Sequence, residues 1–149
     1  MAKRYFEDFK VGERIETAGA TLTESHMIDF ALRYDPQPFH LDSVAAKDSI
    51  YGGIIASGFL TLAMSFRLFM QTGALGDANL GGPGFEEVKF LKPVRPGDTL
   101  RVVVEIVDAR ASQSKQDRGI LTVRATTYNQ SNEAVLSYTC PHLLKRRPR

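Results

Sequence analysis

The sequence predicts a single α+β domain in which one apolar helix packs against a curled antiparallel sheet. Helical periodicity is confined to the first half of the chain, whereas the second half alternates between polar and β-branched residues. The segment 56–72 is apolar on nearly all sides, so other structure has to cover it. Helices followed by a run of strands are typical of the α+β class, and 149 residues fit one domain, 1–149.

The first half predicts two helices ahead of the apolar one. The first carries four apolar residues at the spacing of a single helix face: Met27, Phe30, Ala31 and Tyr34. Thr23 precedes this face as a candidate N-cap, and Pro36 prevents the helix from continuing comfortably past Tyr34. A second, short helix is predicted from Asp42 or Ser43 to about Asp48, capped by Asp42.

The second half predicts four strands at hairpin spacing, rich in valine and threonine. They are Phe85–Lys92, Leu100–Asp108, Gly119–Tyr128 and Ala134–Leu144. A short edge strand is also indicated at 14–17, near the start of the chain. The glycine-rich segment 81–84 predicts a flexible loop between the apolar helix and the first of the four strands.

Composition excludes several classes of protein. The chain has 19 basic and 17 acidic residues, a balance that argues against a nucleic-acid-binding surface. No apolar run approaches the ~18–20 residues of a membrane span, and the N-terminus turns acidic where a signal peptide turns apolar. With one cysteine, Cys140, neither an internal disulfide nor a cysteine-based zinc site is available. We therefore expect a cytoplasmic protein without a metal.

The segment from Asp35 to His40 carries the chemistry. Pro36 and Pro38 stiffen it, and a stiff connection between two helices is a good platform for functional groups. A carboxylate and an imidazole that converge on one water form a general acid/base pair, provided that the chain between them curls back. Taken alone, the spacing is a weak signal and favours a helix-end or turn aspartate and a core or capping histidine with satisfied hydrogen bonds.

Three longer stretches carry a resemblance to a known family. Residues 34–42, the segment 51–61 (Tyr-Gly-Gly-Ile-Ile-Ala-Ser-Gly-Phe-Leu-Thr) and Pro93–Asp98 resemble the MaoC-like acyl dehydratases. That family includes the R-specific enoyl-CoA hydratases and has the hotdog fold. The resemblance extends in order over roughly residues 5–145, nearly the whole chain.

The resemblance implies an activity and a catalytic set. Asp35 and His40 match the catalytic pair, and the backbone N–H of Gly58 matches the donor to the thioester carbonyl. The implied enzyme is a carbon–oxygen lyase that interconverts trans-2-enoyl-CoA and (R)-3-hydroxyacyl-CoA. It would use no cofactor beyond the coenzyme A of its substrate. Hotdog domains of this family pair edge to edge, which implies a homodimer and also protects an exposed sheet edge.

The chain departs from the family pattern at three positions. Tyr34 stands where glycine usually precedes the aspartate, Gln37 stands where asparagine is expected, and Ser57 replaces the histidine of the usual His-Gly pair. We assign five residues to substrate binding: Gln37, Phe39, Tyr51, Ser57 and Phe59. Core packing explains the aromatic members equally well, and a helix cap is the competing interpretation of Ser57.

Two other functions stay open. A hotdog acyl-CoA thioesterase would aim water at the thioester carbonyl, although such enzymes usually lack this Asp-to-His segment. A non-catalytic module that binds acyl-CoA or an acyl-carrier protein would keep the fold without turnover. His26 and His142 are interpreted as structural or solvated and Cys140 as a small core residue. The basic tail, 145–149, is expected to be flexible, with contact to coenzyme A phosphates as the alternative.

Overall fold

The computed structural model describes residues 3–149. The helices are α1 (Glu24–Tyr34), α2 (Pro38–Leu41), α3 (Ser43–Lys47) and α4 (Gly58–Gln71). The strands are β1 (Arg14–Glu16), β2 (Ala20–Thr21), β3 (Glu86–Phe90), β4 (Thr99–Ala111), β5 (Arg118–Tyr128) and β6 (Ala134–Lys145). Single 3-10 turns lie at Phe6–Asp8 and Gly76–Ala78.

The strands form an antiparallel sheet in the order β1-β4-β5-β6-β3, and β2 adds a short pairing to β4. The three long strands β4, β5 and β6 pair along nearly their whole lengths. β3 lies at the end of the sheet and pairs with β6, where Phe90 is opposite Leu136. All four predicted strands and the edge strand near residue 14 are confirmed, with ends that differ by a few residues.

One core lies between α4 and the concave face of the sheet. Alternate residues of the long strands point toward the helix, and those of β6 include Tyr138, Cys140 and Leu144. From the helix, Leu60, Leu68 and neighbouring apolar residues meet them. Burial of these apolar side chains is the dominant favourable contribution to folding. The prediction that Cys140 is a core residue is confirmed.

The sheet curls around α4 as expected, but one face of this helix is not covered by any of the residues 3–149. Phe59, Ala63, Arg67 and Gln71 follow one another at four-residue intervals and are exposed. Phe59 exposes 65% of its surface. The apolar residues of this face therefore remain available for another surface.

The first helices begin where their caps predict. The Thr23 hydroxyl accepts a hydrogen bond from the main-chain N–H of His26 at the start of α1. The Asp42 carboxylate accepts from the first main-chain N–H groups of α3. The single turn α2 was not predicted. It begins at Pro38, since proline is well suited to the first turn of a helix.

The first three residues of the C-terminal tail, 145–147, are held by contacts, although a flexible segment was expected. Lys145 is the last residue of β6. Arg146 Nε lies 3.0 Å from Glu7 Oε1, and the Arg147 guanidinium donates to both carboxylate oxygens of Asp8 at 2.6 and 2.7 Å. The start of the tail is thus attached to the first turn of the chain. Within residues 3–149, no helix has the length and apolar character needed to cross a membrane.

Candidate functional site

A cavity of about 500 Å³ lies at the N-terminal end of α4. It is bounded by the connection from α1 to α2, the first turn of α4 and the segment that follows β3. This volume is typical of small-molecule sites. A larger open groove of about 930 Å³ lies at the other end of β6, lined by the basic tail and acidic residues, and it contains no histidine. The smaller cavity holds the groups capable of acid/base chemistry.

His40 lies on α2 with its ring orientation fixed. Its side chain is buried, and Nδ1 lies 2.8 Å from the main-chain carbonyl oxygen of Ile55. Because a carbonyl oxygen only accepts hydrogen bonds, Nδ1 carries the proton of the neutral ring. Nε2 lies 3.3 Å from Oδ2 of Asp35 and is left as the basic nitrogen at the cavity.

Asp35 follows the last residue of α1, and its carboxylate accepts hydrogen bonds on both oxygens. Gln37 Nε2 donates to Oδ1 at 2.7 Å, and the Ser57 hydroxyl donates to Oδ2 at 2.6 Å. Burial acts to raise the pKa of Asp35, but the hydrogen bonds from Ser57 and Gln37 outweigh it, and the His40 ring acts in the same direction when it is protonated. The pKa lies below its ordinary value. Asp35 is therefore an anion at neutral pH.

The chain between Asp35 and His40 curls back, as a water shared by the two side chains requires. The main-chain N–H of Gln37 donates to the carbonyl of Asp35 at 2.7 Å, and that of His40 donates to the carbonyl of Gln37 at 2.9 Å. These short-range bonds bring the two side chains together across five residues. The approach of Asp35 to His40 is thus a property of this local turn.

Gly58 is the first residue of α4 and lines the cavity. Its N–H belongs to the first turn, whose donors the helix itself does not pair, and it lies at the positive end of the helix dipole. A Cβ placed on Gly58 would lie 2.7 Å from the ring of Phe90, so a larger residue here would displace this ring from its present position.

Four of the five residues assigned to substrate binding line the cavity: Gln37, Phe39, Tyr51 and Phe59. Ser57 is not among the residues that line the cavity: its side chain is fully buried and its hydroxyl donates to Asp35. The cap interpretation of Ser57 is confirmed as well, since its hydroxyl accepts from the N–H of Phe59 at 3.2 Å.

Sequence reasoning missed part of the lining. Thr61, Phe90 and Val135 also face the cavity, and the main-chain carbonyl of Ile55 orients His40. Thr61 lies one helical turn beyond Gly58, a spacing that was available as a signal. Phe90 and Val135 reach the site through strand pairing across the sheet, which has no short-range signature in the sequence.

The chemical capacity of the cavity follows from these groups. A basic ring nitrogen lies beside a fixed anion, the first residue of a helix lines the same space, and aromatic side chains supply apolar walls. This combination suits proton transfer next to a polarised carbonyl group. Within residues 3–149, no cluster of three histidine, cysteine or acidic side chains is placed to hold a metal ion.

Comparison with known proteins assigns the family. Residues 8–129 match the family model described as "MaoC like domain". This chain is 36% identical to the uncharacterized protein YdeM of Bacillus subtilis over 140 residues, which cover 94% of this chain and 98% of YdeM. An (R)-specific enoyl-CoA hydratase of Rhodospirillum rubrum is 33% identical over 112 residues, 68% of this chain and 69% of that protein.

A solved structure shares the whole fold. The crystal structure of a MaoC-like dehydratase from Rhodospirillum rubrum superposes with a TM-score of 0.92 at 37% identity, covering 99% of this chain and 100% of that one. The antiparallel sheet curled around α4 is accordingly the hotdog fold expected from the sequence. The Asp35-to-His40 segment and the glycine that opens α4 thus lie in a fold shared with a known family, and the chain belongs to the MaoC-like dehydratases.

Proposed function

We propose that this protein is a hydratase that interconverts trans-2-enoyl-CoA and (R)-3-hydroxyacyl-CoA. The observation that carries the proposal is the Asp35–His40 pair, 3.3 Å apart, facing the same cavity as Gly58 at the start of α4. The similarity to an (R)-specific enoyl-CoA hydratase supports the same reaction class. The apolar and aromatic lining of the cavity suits an acyl chain.

In the proposed mechanism, His40 carries the proton. A water beside Nε2 gives one proton to this nitrogen while its oxygen forms a bond to C3 of the enoyl group. The π electrons of the C2–C3 bond move toward the thioester and form an enolate. The protonated ring now donates from Nε2 toward Asp35, whose anionic form stabilises the new positive charge. His40 then returns the proton to C2, so that one water has been added and the ring is neutral again.

The main-chain N–H of Gly58 stabilises the enolate oxygen in this mechanism. The charge on the thioester oxygen grows as C3 is attacked, and a preorganised donor at the positive end of a helix stabilises that growth. The thioester itself makes C3 electrophilic, and the reaction calls for no cofactor beyond the coenzyme A of the substrate.

The proposed assembly is a homodimer that forms across β3. This strand pairs with β6 on one side and ends the sheet on the other. Phe85, Phe90 and Leu91 expose 42%, 58% and 47% of their surfaces along it, and Phe59 of the uncovered face of α4 exposes 65%. A free strand edge beside apolar side chains is suited to pairing with a second copy of the chain. Sedimentation should therefore give the mass of two chains.

The test is an assay of the purified protein with crotonyl-CoA. Loss of the enoyl absorbance without release of free thiol is expected, and chiral analysis should identify the (R)-3-hydroxy product. Release of free thiol would instead identify a thioesterase. Tight binding of acyl-CoA without turnover of either short or longer enoyl-CoA would identify a binding module, and both results would reject the hydratase.

A further inference from the structure

We propose that Ser57 and Gln37 are positioning residues: together they hold the Asp35 carboxylate ionised and aimed at Nε2 of His40, and Ser57 joins this carboxylate to the helix start that supplies Gly58. This inference rests on the proposed hydration activity for its catalytic consequence.

The two donors bind different oxygen atoms of the Asp35 carboxylate. The Gln37 amide occupies Oδ1 at 2.7 Å, and the Ser57 hydroxyl occupies Oδ2 at 2.6 Å, the oxygen that also faces His40. With one donor on each oxygen, rotation of the carboxylate would break both hydrogen bonds. The orientation of Asp35 toward Nε2 is therefore fixed before substrate binds, which avoids reorganisation during the reaction.

Ser57 has a second contact that extends its role. While its hydrogen is donated to Asp35, its oxygen accepts from the N–H of Phe59, in the first turn of α4. The side chain is fully buried, so it cannot exchange these partners for bulk water without local opening. The Ser57 hydroxyl thereby links the Asp35 carboxylate to the start of α4, where Gly58 is the first residue.

Gln37 supports the same carboxylate from the solvent side. Its main-chain N–H donates to the carbonyl of Asp35, and its side-chain amide donates to the Asp35 carboxylate. Both hydrogen bonds therefore join Gln37 to the residue two positions before it. The residue is exposed, and it lies between Pro36 and Pro38, which restrict the backbone. We expect its contribution to be smaller than that of Ser57, because water competes for an exposed amide.

The charge state of Asp35 agrees with this arrangement. Burial alone would raise the pKa of the carboxyl group, yet the hydrogen bonds from Ser57 and Gln37 bring it below the ordinary value. A carboxylate with a lowered pKa is a weak base but a good fixed anion. Its function in the pair is therefore to stabilise the protonated ring of His40.

The experiment compares four variants with the unaltered protein. The variants are Ser57→Ala, Ser57→Thr, Gln37→Met and, as the matched control, Ser65→Ala. Ser65 is a buried serine of the same helix, and its hydroxyl shares a hydrogen bond of 2.6 Å with Thr127. The carboxyl carbon of Asp35 is titrated by NMR in the free proteins, and kcat and KM for crotonyl-CoA are measured across pH.

We expect Ser57→Ala to raise the pKa of Asp35 and to lower kcat by roughly 10- to 100-fold, the effect of losing a hydrogen bond to a charge, with little change in KM. Gln37→Met should also raise the pKa of Asp35 and lower kcat, but by less than Ser57→Ala. Ser57→Thr, which keeps the hydroxyl, should restore both properties, and Ser65→Ala should leave the titration of Asp35 unchanged.

The outcomes separate this inference from the proposed function. An unchanged titration of Asp35 in both Ser57→Ala and Gln37→Met would overturn the inference whatever the activity, and so would an equal loss of kcat in Ser57→Ala and Ser65→Ala. The titration requires no turnover. If the unaltered protein hydrates no enoyl thioester, the proposed function fails, while the titration still decides whether the two residues hold Asp35.

Discussion

Two histidines are buried to a similar degree near different parts of α4, and their surroundings are opposite. His40, 5% exposed beside the start of the helix, has a polar neighbour at each ring nitrogen. His142, 3% exposed on β6, packs near the rings of Phe66 and Phe69, and its Nε2 has no hydrogen-bond partner within residues 3–149. Burial by itself therefore does not distinguish a histidine with polar partners from one in an apolar environment.

The surroundings of the two histidines differ in whether they stabilise a charged side chain. Around His40, Asp35 is kept ionised by two hydrogen bonds, so the site can accept a proton on the ring. Around His142, burial without a partner lowers the pKa to about 4 and keeps the ring neutral. The first region is suited to moving protons and the second excludes them. The interpretation of His142 as structural is consistent with this environment.

The largest effect is expected from breaking the polar pair. Asp35→Asn and His40→Gln should each lower kcat/KM for crotonyl-CoA by about 10²- to 10⁴-fold, because each removes a member of the proton-transfer pair. Turnover by the folded variants, measured beside His142→Leu as the control, checks this. A loss below tenfold in His40→Gln would show that the reacting proton is carried elsewhere, and one below tenfold in Asp35→Asn would show that the reaction does not need the anion.

The next effect concerns His142 and the pH dependence of stability. The pKa in the folded protein is about 4, below the ordinary value of an unfolded histidine, so the unfolded chain binds the proton first as pH falls. Stability is therefore complete above about pH 6.5 and decreases toward pH 4, by roughly 3 kcal/mol in total. The contribution of Asp35 is lost only at still lower pH, because its pKa is lowered from the ordinary value of a carboxyl.

His142→Leu should remove this decrease. The free energy of unfolding, measured in urea at pH 7 and pH 4.5, is expected to fall less in the variant than in the unaltered protein. His26→Gln, at an exposed histidine of α1, is the control and should behave like the unaltered protein. An equal pH dependence in all three proteins would mean that His142 gains a proton in the folded state without cost.

These two regions also show how far the sequence alone reaches. Asp35 and His40 were singled out by the proline-stiffened segment between them, and their roles and that of Gly58 were predicted from the family resemblance, whereas the helices and strands were predicted from periodicity and caps. The turn α2 was missed because it is four residues long, too short for a periodic signal. The hydrogen bond from Ser57 to Asp35 joins residues 22 positions apart, and no local pattern indicates such a contact.

A second comparison uses two glycines that each lie against the ring of a phenylalanine. Gly58→Ala would bring a methyl group against Phe90 in the cavity, whereas Gly119→Ala would bring one against Phe6, away from the cavity. Each is expected to cost about 1–3 kcal/mol of strain. Only Gly58→Ala should also lower kcat/KM, and Gly58→Ala with Phe90→Ala should recover part of the stability. Equal loss of activity in both glycine variants would contradict the separate roles.

The smallest effect is expected at Tyr138, which lies in the same apolar region as His142. Its hydroxyl is buried close to the Ser65 hydroxyl, but no hydrogen bond of good geometry joins it to a residue within 3–149, and burial raises its pKa. A buried hydroxyl without a well-formed hydrogen bond has lost its water with little compensation, so Tyr138→Phe should leave the free energy of unfolding unchanged or raise it by up to about 1 kcal/mol. The ring keeps its edge contact with Phe85, whose centroid is 5.1 Å away. Urea unfolding at pH 7 measures the difference, and a loss above about 1 kcal/mol would mean that the hydroxyl has a partner, such as a buried water.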